Sequence, residues 1–104
     1  MQEYDIEITN KAKNDMREIY AYIIENFKES SIADNLLDKI ETEILNLKTM
    51  PLRHKIEKDE QLKLRNLRKI IVGNYLIFYT VNKKTETVFI IRVLYFRRDW
   101  LNLL

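Results

Sequence analysis

Two stretches of this sequence have no side that belongs in water. In residues 75–81, Tyr75, Ile77, Tyr79 and Val81 fall on one side of an extended chain, and Leu76, Phe78 and Thr80 on the other. In residues 87–95 and just beyond, Phe89, Ile91, Val93 and Tyr95 alternate with Val88, Ile90, Leu94 and Phe96. A strand with one wet face alternates apolar and polar side chains. These two do not, so both faces of their sheet need cover. A third strand-like run, 67–72, precedes them across Gly73-Asn74. Glycine at the first central position suits a two-residue type II′ turn. Asn82 to Thr85 makes the next turn, so the three runs read as an antiparallel meander.

The first half of the chain supplies one cover. Tyr4, Ile6 and Ile8 alternate with Asp5 and Glu7, the period of a short half-buried strand. Thr9 or Asn10 then caps a helix on Ala12, Met16, Ile19, Tyr20, Ile23, Ile24 and Phe27, which recur at three and four residues. Ser31 is placed to cap a second helix, with Asp34 in its first turn, where the helix dipole favours an acid. That helix carries Ala33, Leu36, Leu37, Ile40, Ile44 and Leu47 on one face and ends before Pro51. The short link "KESS" folds the two helices antiparallel. The expected fold is α+β, in the order β-α-α-β-β-β, with an antiparallel sheet and an αα-hairpin on one face. Residues 51–66 read as polar and irregular. The second sheet face is left to that segment, to "WLNLL" at 100–104, or to another chain. Exposed apolar faces mark partner surfaces, so a protein partner is expected there.

A chain of 104 residues makes one domain, 1–104, burying roughly 65% of its unfolded surface. With no cysteine, disulfides, thiolate chemistry and cysteine-bound zinc are excluded. The lone histidine, His54, excludes a histidine metal cluster and sits in a polar stretch ill-suited to a Ser-His-Asp relay. No glycine-rich phosphate loop is possible with Gly73 alone, and no cofactor or metal is expected. No apolar run approaches the ~20 residues that span a bilayer, and Met1 to Asn10 does not read as a secretory signal. The expectation is a cytoplasmic protein with no membrane contact.

The net charge of +2 hides a division. Residues 1–62 carry nine Lys or Arg against fourteen acids, a charge of −5. Residues 63–104 carry nine against two, Glu86 and Asp99, a charge of +7. A basic half points to a polyanion or an acidic partner. The chemically suggestive set closes the meander: Tyr95, Arg97 and Arg98, with Arg65, Arg68 and Lys69 as possible neighbours. Arginine binds phosphate or carboxylate through a planar fork and stabilises charge in phosphoryl transfer. A tyrosine can stack on a base or move a proton.

The element order, the hairpin "RKIIVGNYLIFYTV" and the closing "RVLYFRRDW" resemble the RelE/ParE superfamily, the toxin halves of type II toxin–antitoxin modules, also described as plasmid stabilisation proteins. The resemblance covers nearly the whole chain. It implies an antitoxin partner that wraps the toxin in a hetero-oligomer, and growth arrest when that antitoxin is lost. It implies one of two targets. RelE-like members cut messenger RNA on the ribosome; ParE-like members poison DNA gyrase without being nucleases. RelE-like nucleases carry an arginine in the middle strand, where this chain has Leu76 in "YLIFY". Some place a histidine and a tyrosine at the end of the last strand, where Tyr95 and Phe96 stand here. A terminal tyrosine of the nucleases has no clear match; Asn102 falls near it. The ParE-like reading is therefore preferred. An endoribonuclease using Tyr95 with Arg97 or Arg98 is the alternative, and a binding module without toxicity is the third.

Overall fold

Thr9 converts strand into helix. Its side-chain oxygen accepts the Ala12 backbone N–H at 3.2 Å, capping one of the free amides of the first helical turn. The structure, a computed structural model, describes residues 3–104. Its elements are β1 (Asp5–Ile8), α1 (Asn10–Phe27), α2 (Ser30–Asn46), α3 (Glu60–Leu64), β2 (Arg68–Val72), β3 (Tyr75–Asn82), β4 (Thr87–Tyr95) and α4 (Trp100–Leu103). The four strands form one sheet in the order β1-β4-β3-β2. No helix among the described residues is long and apolar enough to cross a membrane.

The expected meander is present. β2, β3 and β4 pair antiparallel, and Gly73 takes φ +56° in the β2–β3 turn, while Asn74 keeps a negative φ, as a type II′ turn requires. The sheet as a whole is mixed, because β1 joins β4 in parallel, Asp5 opposite Thr87 through Ile8 opposite Ile90. The chain leaves β1, crosses one sheet face as α1 and α2, and returns along the far edge as β2.

Lys28 closes α1 in the left-handed region at φ 51°, and its N–H reaches the Ile24 carbonyl oxygen at 2.8 Å. The link is then so short that α2 starts at Ser30, with Glu29 rather than Ser31 at the cap position. The Ser31 hydroxyl instead donates to the Glu29 carboxylate at 3.0 Å. The helical stripes pack on the sheet through Ala12, Ile19, Ile23, Ala33, Ile40, Ile44 and Leu47, against Ile70, Val72, Ile77, Tyr79, Val88, Ile90 and Val93. Ile40 is fully buried. Phe27 is not in this core: it is the last residue of α1, at the hairpin tip, and 59% exposed.

The second sheet face does not wait for a partner. Residues 51–66 contain α3, whose Leu62 packs with Leu67 on Leu76, Phe78 and Leu94. From the other side Trp100, Leu103 and Leu104 close over the same residues, with the Trp100 and Phe78 ring centroids 5.3 Å apart. Both covers come from the chain itself and close the middle of the face, which corrects the expectation of a wholly open one; Ile71, opposite Leu76, stays 68% exposed at the β2 edge.

β4 also departs from simple alternation. Phe78 pairs with Arg92 but Tyr79 with Ile90, so Ile91 has no partner and forms a bulge. One extra residue reverses the phase of everything after it. Val88, Ile90 and Val93 therefore share the helical face, while Ile91 and Leu94 share the other, unlike the strict period-two reading.

Candidate target-binding site

The bulge is held from outside the sheet. β1 stops at Ile8, which leaves the edge of β4 open beyond Ile90. The Thr9 hydroxyl lies within hydrogen-bond reach of the Ile90 and Ile91 carbonyl oxygens, at 2.8 and 3.1 Å. One turn further, Asp15 turns its carboxylate into the same edge. Its Oδ2 accepts the Val93 backbone N–H at 3.0 Å, and its two oxygens take Arg92 Nε and Nη2 at 2.7 and 2.8 Å. Arg92 Nη1 donates onward to the Leu103 carbonyl oxygen at 2.7 Å. A single buried ion pair thus joins α1, the β4 bulge and α4. The bond to Asp15 holds the Arg92 guanidinium more firmly in its charged form. Sequence reasoning missed Asp15. The signal was there: an acid three residues after Ala12 and four before Ile19, on the buried line of α1, and one arginine inside an otherwise apolar strand.

Beyond this anchor, β4 ends at Tyr95, and Arg97 and Arg98 occupy the turn to α4 rather than the strand itself. The turn is tied down. The Phe96 N–H donates to the Asn74 carbonyl oxygen at 2.8 Å, the Arg98 N–H to Tyr95 at 3.0 Å, and the Trp100 N–H to Arg98 at 2.7 Å. The Arg97 guanidinium lies over the Phe96 ring, 5.3 Å from its centroid. Neither arginine has an ion-pair partner among the described residues. Asp99, the acid beside them, accepts from the Asn102 side-chain amide at 2.6 Å. Tyr95 packs edge-on against Tyr75, centroids 5.7 Å apart, and against Phe96 at 5.2 Å.

The other basic candidates do not join this end. Arg68 lies opposite Tyr79, and Tyr95 opposite Tyr75, a separation of four residues along β3, or about 13 Å at the rise of a strand. The Arg68 guanidinium donates to the His54 carbonyl oxygen, and that of Arg65 to the Leu104 carbonyl oxygen. Lys69 pairs with Glu57 at 3.2 Å, and its ammonium lies 5.6 Å from the Trp100 ring centroid. Arg68 and Lys69 fasten residues 54–57 to the sheet, and Arg65, at the end of α3, ties that cover to the α4 end.

The main grooves lie elsewhere. Grooves of about 660 and 700 Å³ open at the seam of β1 with α2 and beside α3. Tyr95, Arg97 and Arg98 line neither of them. No hydrogen bond from another described side chain reaches the Tyr95 hydroxyl. The arrangement presents two cations beside aromatic rings on an outward surface, which suits recognition of an anionic surface better than enclosure of a reacting group.

Residues 6–100 match the family described as ParE toxin of type II toxin-antitoxin system, parDE. The chain belongs to the ParE toxin family of type II toxin–antitoxin systems, within the wider RelE/ParE superfamily. Among curated proteins none matches it in sequence. Among solved structures it is similar to a chain of the chromosomal ParDE toxin–antitoxin system of P. aeruginosa, at TM-score 0.71 and 14% identity over 88% of this chain and 95% of that one. It is similar to a chain of the RelBE2 toxin–antitoxin complex of Mycobacterium tuberculosis, at TM-score 0.63 and 22% identity over 91% and 93%. A free-state mutant of the E. coli toxin RelE aligns at TM-score 0.64 and 14% identity over 98% and 93%. At these identities the solved structures establish the shared fold alone.

Proposed function

We propose that this toxin arrests growth by binding DNA gyrase through the Arg97–Arg98 end, without nuclease activity, and that a cognate antitoxin protein neutralises it. The observation that carries the choice of target is Leu76. RelE-like nucleases are expected to hold an arginine at this position of the middle strand. Here a leucine, 7% exposed, packs with Leu94 under α3 and α4. The middle of the face on which a cleavage site would be built is apolar and covered. Tyr95 is held between two aromatic rings and has no base beside it. The antitoxin reading is supported by membership of a family defined by toxin–antitoxin pairs. Two structural relatives also come from such systems.

The test is expression of the chain without its antitoxin, with two readouts. Primer extension on cellular messages should show no new cleavage, and purified chain should inhibit supercoiling by gyrase. Cleaved messages with normal supercoiling would overturn the gyrase reading in favour of the endoribonuclease. Unimpaired growth with both readouts silent would leave a binding module without toxicity.

A further inference from the structure

The arginine end continues into rings that come from other elements. Tyr22 on α1 is 59% exposed, Phe96 41% and Tyr95 37%. Tyr75, at the start of β3, packs edge-on against Tyr95. Burial raises its phenol above the usual range, and the neighbouring Tyr22 and Tyr95 raise it further. Tyr75, Tyr95, Phe96 and Arg97 then follow one another at 5.7, 5.2 and 5.3 Å. We propose that Tyr22, Tyr75, Tyr95 and Phe96, continued by Arg97 and Arg98, form the docking surface for a carboxylate-bearing segment of the protein this toxin arrests. The inference rests on the target-binding reading above and names the chemistry of that target surface.

Two observations favour protein over nucleic acid. The first is ring geometry. Tyr75 and Tyr95 meet at 67°, Tyr95 and Phe96 at 59°, and Arg97 lies over one face of Phe96. A single-stranded nucleic acid needs successive open faces on which to stack. These rings meet at steep angles and present edges rather than a row of open faces, which suits contact with protein side chains. The second is the cation count. A phosphate backbone is followed by a track of free cations. Of the basic half, Arg65, Arg68, Lys69 and Arg92 are all engaged within the chain, Lys63 lies on α3, and Lys83 and Lys84 lie in the β3–β4 turn at the far end of the sheet. What remains beside the rings is a pair of arginines. A pair suits one or two carboxylates, and arginine with tyrosine is the composition of interface hot spots.

The probe is purified gyrase holoenzyme, with 20-nucleotide single-stranded DNA and RNA as competitors. Two variants leave both arginines in place: Tyr22→Ala, which keeps Phe96 under Arg97, and Tyr22→Ala with Phe96→Ala. Thermal unfolding of each verifies the fold. The parent chain should bind gyrase, Tyr22→Ala should bind at least tenfold more weakly, the double variant more weakly still, and neither oligonucleotide should compete. A folded double variant that binds as tightly as the parent overturns the docking surface and leaves the proposed function standing. So does displacement of the parent by an oligonucleotide, which would make the site one for nucleic acid. A parent chain that binds through these rings while supercoiling and growth stay normal overturns the proposed function and leaves the surface standing. A parent chain that does not bind gyrase overturns both.

Discussion

At the residue scale, Asp15 and Arg92 carry the largest single energetic responsibility. Both side chains are nearly removed from water, at 6% and 14% exposure. Removing one partner of a buried pair leaves the other charged and unpaired, at a cost of about 3–5 kcal/mol. Asp15→Ala should therefore lower stability by about that amount in urea unfolding, whereas joint replacement of Asp15 and Arg92 by leucine should cost less than the single change. A single change costing under about 1 kcal/mol would mean that the pair is not a structural anchor. His54 offers a pH test. Its Nε2 is buried without a hydrogen-bond partner. Burial first, then Arg53, lower its pKa; Glu43 pulls the other way, and Arg68 adds a smaller lowering. A base whose folded pKa is depressed resists protonation. Its stability contribution is complete above the unfolded value of about 6.5 and fades as pH falls below it. The urea midpoint should fall between pH 7.5 and 5.5, and His54→Leu should flatten that fall. An equal fall in the variant would assign the effect to other groups.

At the element scale, the sequence was most informative where a pattern is local. Helices α1 and α2 and the β2–β3 hairpin were legible because periodicity and Gly73 specify them within a few residues. Ile40 lies mid-stripe and is fully buried. Ile40→Ala should therefore cost about 2–5 kcal/mol, as lost transfer free energy plus a cavity. A loss below about 0.5 kcal/mol would remove α2 from the core. The parallel docking of β1 beside β4 was not legible, because strands more than eighty residues apart are matched only in three dimensions. The bulge was hidden for the same reason: its cause, Asp15, lies 78 residues from the Val93 amide it accepts. α3 and α4 escaped because five and four residues are too few to show a helical period. Trp100 is the element-scale test of the second cover. Trp100→Ala should cost about 1–3 kcal/mol, less than a fully buried aromatic, and should raise binding of an apolar dye at Phe78 and Leu94. Unchanged stability and unchanged dye binding would show that α4 is not needed to close that face.

At the scale of the whole molecule, the nine cations of residues 63–104 divide into those that hold the chain together, those on the arginine end, and Lys63, Lys83 and Lys84, which lie on α3 and in the β3–β4 turn. Arg65, Arg68, Lys69 and Arg92 bind carbonyl oxygens or acids of the chain and hold its covering segments in place. Arg97 and Arg98 do not, and they stand on a turn fixed by three backbone hydrogen bonds. The candidate site was thus half legible. The arginine pair stood out by composition, but its separation from Arg65, Arg68 and Lys69 depends on register and partners that composition does not encode. The pair is proposed to act on a target and not on the fold. The direct test is Arg97→Ala with Arg98→Ala, measured on one preparation for urea stability and in cells for growth arrest without antitoxin. Stability should change by no more than about 1 kcal/mol, as for surface substitutions, while growth arrest is lost. A double variant that is folded and still fully arrests growth would contradict the claim and return both arginines to the solvated surface.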